Sequence, residues 1–475
     1  MVLIRLDNSY SYLFHLDKFI RGKIDIATSY KVVDIDMMKG IHYKNKKLMR
    51  KFKDWDGKKH LLTAFDTFPT GLLHRVKYVL EKYGYEYEIE DIRKIPRSTI
   101  RLQFTTAVKD FEDRPYQEKV RVIVKKVERG VLSIATAGGK TWIAANIIKD
   151  KSVPTLFITP SITLLHQTYK KYVKFFGEKY VGLYTSDISK EEKEKAIKKY
   201  IVVANVDSLE RAPDALFRRG MVIYDELHHF GAVGYYEINK TKLKHIYYKY
   251  GLTATFWRES VDTLMLYGVL SRVIFRKSAS ELIRENYLVR PYITIEEIRS
   301  PELYGKTYKK AYKQGIVLNS IRNNIIAKYA MHWQEQKKPT IILVTELDHG
   351  DILKSMIPNS VFLHGKHNEE TRDAVIKDYE DQKIPTLICT AILAEGADIP
   401  IIRCGINARA NQSDGMTMQG IGRGLRLHKA SNKDRLQWLD FLDNINAHLL
   451  THSKARYRAY KSEEEFKIRL KRFKI

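Results

Sequence analysis

Two series of short apolar runs constrain the fold of this chain more than any other feature. The first lies at 131–135, 154–159, 201–204, 221–224 and 251–254. After a gap around 275–300, a second follows at 340–345, 360–364, 386–392, 401–408 and 436–442. Helical patterns separate the runs. Such alternation predicts βαβ units and parallel sheets covered on both faces. The economical reading is an α/β chain with two similar parallel-sheet domains in tandem. The 475 residues hold about two to four domains at roughly 100–200 residues each.

Composition narrows the class. At 44% hydrophobic and 29% charged the chain is too apolar to be disordered. No apolar run approaches the roughly 18 residues of a membrane-spanning helix, and the first residues are charged too early for a secretory signal. Cys389 and Cys404 are the only cysteines, which excludes a disulfide framework and a Cys-rich zinc site and fits a reducing cytoplasm. The net charge of +27 points to a polyanionic partner, nucleic acid first and an anionic membrane surface second.

Residues 1–105 read as a small basic α+β unit. Thr70 is a helix N-cap candidate, followed by Leu72, Leu73, Val76, Val79, Leu80 and Tyr83 at helical spacing and by Gly84 as a stop. Tyr85, Tyr87 and Ile89 then alternate like a strand. Residues 41–60 carry eight Lys/Arg against two Asp and include Trp55-Asp56-Gly57. The last 25 residues hold nine Lys/Arg against three Glu and read as a basic helix.

The sharpest local signal is Ala135-Thr136-Ala137-Gly138-Gly139-Lys140-Thr141 between a strand and a helical pattern. Two glycines let backbone N–H groups turn inward around phosphate at the positive end of a helix. Lys140 can reach the β- and γ-phosphates, and the Thr141 hydroxyl can ligate Mg²⁺. Ile134 stands where such loops usually begin with glycine. A neighbouring strand ends in Asp225-Glu226-Leu227-His228-His229. An acidic pair at the C-terminal end of a parallel strand lies where ligands of open α/β sheets bind. There Asp225 would hold Mg²⁺ through water and Glu226 would deprotonate the attacking water. The tandem histidines lack a third ligand at zinc spacing.

With both motifs in view, the chain resembles superfamily 2 helicases of the DExH type, over about 106–450. Arg114-Pro115-Tyr116-Gln117 is similar to the adenine-reading element, with Gln117 as the base-specific side chain. Thr159-Pro160 with Gln167, and Asp207-Ser208, are similar to strand-contacting motifs. Thr253-Ala254-Thr255 is similar to the motif that couples hydrolysis to strand movement. Thr345 and Thr390 stand in the places of further strand contacts, and Gly396 and Asp398 in a nucleotide-proximal motif. Gln419-Gly420-Ile421-Gly422-Arg423-Gly424-Leu425-Arg426 fits Gln-x-x-Gly-Arg-x-x-Arg in full. Its two arginines, three apart, share one helical face and suit neutralisation of charge developing on a γ-phosphoryl group.

Three segments narrow the resemblance. Arg258-Glu259 and residues 316–330, with Asn319, Arg322 and Asn323, resemble excision-repair helicases related to XPB. Residues 52–89 resemble the accessory domain of UvsW-type phage recombination helicases. The resemblance implies two RecA-like domains, at 106–285 and 286–455, between a DNA-gripping domain at 1–105 and a tail at 456–475. It implies ATP with Mg²⁺ in the cleft between those domains. It also implies action on single-stranded, forked and four-way DNA. Independently of the resemblance, Trp55 in the basic 41–60 segment is an amphipathic side chain suited to stack at an opened base step. Recombination or replication proteins would be the partners, in the cytoplasm of the host if the chain is phage-encoded. An RNA helicase or a restriction-enzyme motor subunit would share the core motifs. A non-catalytic DNA binder would not need Lys140, Asp225, Glu226, Arg423 and Arg426 together.

Overall fold

The computed structural model describes residues 1–32, 56–109, 111–227, 230, 232–254, 263–299, 307–390, 399–412 and 414–471. Contacts divide the chain into two compact units. One comprises 1–132 with 141–276, and the other 133–140 with 277–475.

The first unit holds two sheets. The N-terminal strands are β1 (Val2–Leu6), β2 (Tyr10–Phe14), β3 (Ser29–Lys31), β4 (Lys58–His60), β5 (Thr67–Pro69) and β6 (Tyr87–Asp91). Four of them form a sheet ordered β5-β2-β1-β6, with β1 antiparallel to β2 and parallel to β6. β1 buries Val2, Ile4 and Leu6 in strict alternation, the signature of a half-covered strand. Helices Lys18–Ala27 and Leu73–Lys82 pack against each other, and the second buries Val76, Val79 and Leu80. The expected cap at Thr70 is absent, because its hydroxyl donates to the Asp7 carbonyl at 2.7 Å and meets Ser11 Oγ at 2.9 Å. Thr70 therefore fastens a short 3₁₀ turn, Thr70–Leu72, to the β1–β2 connection, and the α-helix begins after it.

The second sheet contains β7 (Arg129–Ile134), β8 (Thr155–Thr159), β9 (Val181–Tyr184), β10 (Ile201–Asn205), β11 (Met221–Tyr224), β12 (Tyr248–Thr253) and β13 (Val273–Lys277), in the order β13-β7-β12-β11-β8-β10-β9. One buried core runs from Val2, Ile4, Phe68 and Leu72 into Tyr236, Met265 and Val269, so residues 1–91 and the seven-stranded sheet share an interior. The join is close: a Cβ on Gly71 would stand 2.1 Å from the Tyr267 carbonyl oxygen, so only glycine fits. It is also polar. Tyr10 and Tyr236 hydroxyls meet at 2.7 Å, buried Arg129 donates to the Asn8 and Val269 carbonyls, and buried Lys249 donates to Ser9 Oγ at 3.0 Å. Burial holds the Lys249 ammonium well below the ordinary lysine value.

The second unit carries β14 (Arg290–Arg299), β15 (Thr340–Val344), β16 (Ser360–Leu363), β17 (Thr386–Thr390), β18 (Cys404–Asn407), β19 (Arg435–Asn444) and β20 (Lys467–Lys471). They pair in the order β16-β17-β15-β18-β19-β14-β20, parallel throughout. The basic C-terminal stretch is not one helix. A helix, Ala447–Lys461, is followed by β20, which pairs with β14 and so completes the sheet. Helix Ser320–Glu335 is capped by Asn319, whose side chain accepts from Arg322 N–H at 3.0 Å. No described helix is long and apolar enough to cross a membrane.

Candidate active site

The phosphate-loop candidate leaves the C-terminal end of β7 and enters helix Lys140–Lys151. Ala135 N–H is tied to the Lys277 carbonyl at 2.9 Å, and Gly138 N–H to the Ala135 carbonyl at 3.0 Å. Ala137 has φ 65° and Gly139 φ 78°. A left-handed alanine costs about 1–2 kcal/mol, so the loop is wound tightly before any ligand arrives. The Thr136 hydroxyl is buried and makes no hydrogen bond among the described residues. A Cβ on Gly422 would fall 2.6 Å from Thr136 Cβ, so helix Asp414–Gly424 can approach the loop only through glycine.

Within the first seven-stranded sheet, β12 separates β7 from β11, and each ends in a candidate. Asp225 follows β11 and is buried, its carboxylate accepting from Glu226 N–H at 3.0 Å. Glu226 has φ 45°, a second strained residue at the same edge. Thr253 ends β12 and is buried. Asp225 and the Thr141 hydroxyl supply hard oxygen donors of the kind Mg²⁺ takes, so the donor set fits that ion. Thr255 and Arg258 lie outside the described residues, as do Gly396, Asp398, Trp55 and the tandem histidines.

Arg114, Tyr116 and Gln117 open helix Pro115–Lys126. Gln117 is buried, and its amide oxygen accepts from Arg114 N–H at 2.9 Å. An adenine edge would compete with that bond. Sequence reasoning missed the scaffold behind this element. Asp113 accepts from Trp142 Nε1 at 2.6 Å and from Asn146 Nδ2 at 3.0 Å, and pairs with Arg121 at 2.9 Å, binding the element to the helix that follows the phosphate loop.

Among the strand-contact candidates, Thr159 is fully buried and its hydroxyl donates to the Ser161 and Ala204 carbonyls. Its side chain is turned into the sheet, leaving Pro160 and Gln167 half-buried. Asp207 is exposed and Ser208 half-buried on the one-turn helix Val206–Ser208, where Asn205 Oδ1 accepts from Asp207 N–H. Thr345 is exposed at the end of β15, whereas Thr390 is buried at the end of β17.

In the second unit Gln419 is buried, Arg423 and Arg426 are half-buried, and burial draws the Arg426 guanidinium down to about 10. Arg423 lies in the last turn of helix Asp414–Gly424, whereas Arg426 stands past its end in an isolated antiparallel bridge with Leu288, so the two arginines do not share one helical face. The segment leading into that helix is held by buried donors that sequence reasoning did not single out for this task. Arg322 donates to the Ala408 carbonyl, Tyr312 to that of Arg409, and Arg456 to that of Asn411. Arg409 bonds Asn407 Oδ1 at 3.1 Å and the Met416 carbonyl at 3.0 Å. Asp440 and Asp443 balance them, with Arg322–Asp443 at 2.9 Å and Arg456–Asp440 at 3.1 Å. The available signal was a pair of aspartates three residues apart, Asp440 and Asp443, at the end of a largely apolar run.

Residues 97–258 match the family described as type III restriction enzyme, res subunit, and residues 321–428 match the helicase conserved C-terminal domain. With two seven-stranded sheets and these two domains in sequence, the chain belongs to the superfamily 2 helicases. Within them it is similar to the ATP-dependent DNA helicase uvsW of Enterobacteria phage T4, at 22% identity over 441 residues covering 87% of each chain. A candidate ATP-dependent helicase of Saccharomyces cerevisiae, IRC3, is 25% identical over 369 residues and 70% of this chain. The chain spans 51% of that relative's length. Among solved structures, Saccharomyces cerevisiae Dbp5 bound to RNA and ADP BeF3 has a TM-score of 0.54 at 15% identity, covering 77% of this chain and 91% of that one. That likeness concerns fold alone.

Proposed function

We propose that the chain is an ATP-driven DNA helicase or translocase that unwinds or branch-migrates forked and four-way DNA. The observation that carries this reading is the pre-wound phosphate loop, with its buried Thr136 hydroxyl packed against Gly422 of the Gln-x-x-Gly-Arg helix. ATP is the substrate. Lys140 and the loop N–H groups would bind its phosphates, and Arg114, Tyr116 and Gln117 its base. Thr141 and Asp225 would hold Mg²⁺, which supplies charge neutralisation on the phosphates when bound. Glu226 accepts a proton from the attacking water. Arg423, with Arg426 and Gln419 beside it, neutralises charge that appears on the γ-phosphoryl group only in the transition state. Thr253, with Thr255 and Arg258, would pass the change to the strand-contact loops. The charge of +27 supplies phosphate contacts that carry no sequence information. The uvsW relative is named a DNA helicase, which favours DNA over RNA as the track.

The test is ATPase and unwinding across single strand, duplex, fork, four-way junction and RNA. DNA should stimulate hydrolysis more than RNA, and branched DNA should be the better unwinding substrate. Lys140→Ala and Glu226→Gln should abolish turnover while DNA binding persists. Arg423→Ala should lower kcat by on the order of 10³-fold with little change in KM for ATP. Near-normal turnover in these variants would overturn the site, and equal stimulation by RNA would overturn the choice of track.

A further inference from the structure

We propose that Phe65 is a stacking wedge that opens the base pair at a DNA branch point, a role that rests on the DNA reading above. Phe65 sits in the turn between β4 and β5 and is 88% exposed, the most exposed large apolar side chain described. An aromatic ring so fully in water is normally tolerated on a floppy tip. This turn is locked instead. Thr63 Oγ1 accepts from the N–H groups of Phe65 and Thr67, both at 3.2 Å, and meets Thr67 Oγ1 at 2.7 Å. Asp66 N–H donates to the Thr63 carbonyl, with Asp66 in the left-handed region at φ 52°. Arg21 clamps the turn from helix Lys18–Ala27, reaching Asp66 Oδ1 at 2.7 Å and the Thr63 carbonyl at 3.1 Å. Asp66 also accepts from Leu13 N–H on β2, and Phe68 is fully buried. The chain thus invests a strained residue and a side-chain clamp in holding one ring out in solvent.

The chemistry of the tip selects its partner. A protein interface needs a contiguous apolar patch of several hundred Å². Here the side chains that shape the tip are Thr63, Asp66, Thr67 and Arg21, with only the small Ala64 before the ring, and Phe65 makes no aromatic or cation–π contact among the described residues. A single rigid ring on a polar mount offers the area of one base and suits π-stacking. The ribbon leading to it carries a basic pair, Lys31 and Lys58, which face each other across β3 and β4. Phosphates on either side of an opened step would meet that charge.

The experiment uses the full chain on a fork and a four-way junction carrying 2-aminopurine in the pair next to the branch. Without ATP, the intact chain and Phe65→Trp should raise the fluorescence, and Phe65→Ala should not. Phe65→Ala should lower branched-DNA unwinding by on the order of tenfold, the scale of one lost stacking contact. Its melting temperature and single-strand-stimulated ATPase should stay unchanged, because so exposed a ring contributes little to the core. Tyr78, also exposed on the same domain at 63%, supplies the comparison. Phe65→Ala opening the pair as well as the intact chain, or Tyr78→Ala losing as much, would overturn the wedge while leaving the helicase reading intact. An intact chain that neither binds forks nor hydrolyses ATP on DNA would overturn both.

Discussion

The two seven-stranded sheets both bury cations, and they balance them in opposite ways. In the second unit Arg322 and Arg456 lie among Asp440 and Asp443, so the charges close within the sheet and its helices. At the N-terminal seam of the first unit, Lys249 ends on a serine hydroxyl and Arg129 on two carbonyls, with Glu128 3.7 Å from Arg129 Nε. Two of those acceptors, Ser9 and Asn8, belong to the β1–β2 connection. Arg322 and Arg456 thus close their charges on aspartates of their own sheet, whereas Lys249 and Arg129 take acceptors from the N-terminal domain. That domain is therefore part of the motor's interior.

The largest expected effect comes from removing it. A chain starting at Val108 would expose Met265, Leu266 and Val269 and strip Lys249 of its acceptor. Each large apolar side chain returned to water costs roughly 1.5–3 kcal/mol, and several together approach the whole stability of a domain. We expect aggregation or loss of the cooperative melt. A soluble chain with an unchanged melting temperature would show that the shared core is incidental. Next is Asp443→Ala, which leaves buried Arg322 uncompensated and should cost about 3–5 kcal/mol in urea unfolding. Lys249→Met should go the other way. Its folded pKa lies below the unfolded value, so below about pH 10 the unfolded state binds the extra proton and gains from it. Wherever the folded lysine is neutral and the unfolded one charged, stability should climb with pH by about 1.4 kcal/mol per unit. The methionine variant should be more stable at pH 7 and should flatten that slope. A loss as large as that of Asp443→Ala would erase the contrast between the sheets. The smallest effect is Thr70→Val, about 1 kcal/mol for its bond to the Asp7 carbonyl.

Both sheets were legible in the sequence because their central strands are buried on two faces and read as continuous apolar runs. β11 falls where its run predicts, and β8, β10, β15 and β17 within a few residues. Four strands of the two large sheets were not revealed by the runs, and one of them, β9, is a four-residue edge strand too short to stand out. β13 and β20 lie at sheet edges, where solvent admits Arg276, Lys467 and Arg469. β14 is paired on both sides, between β19 and β20, yet it carries Pro291 and buries Glu296 and Glu297, so its ten residues read as a gap. The site's loop and acidic strand end were legible as motifs, since phosphate chemistry fixes their residue types and spacing. The supports around Asp113 and the donors onto 408–411 were not, because their members meet only through the fold.

The shared interior of the first unit has a kinetic consequence. Two sheets joined by one core and by hydrogen bonds from Arg129 and Lys249 should open as one unit, not as a tethered pair. Amide hydrogens of β1 and β2 should then exchange with solvent as slowly as those of β7 and β12. A ligand that quiets the motor sheet should slow exchange in the N-terminal sheet to the same degree.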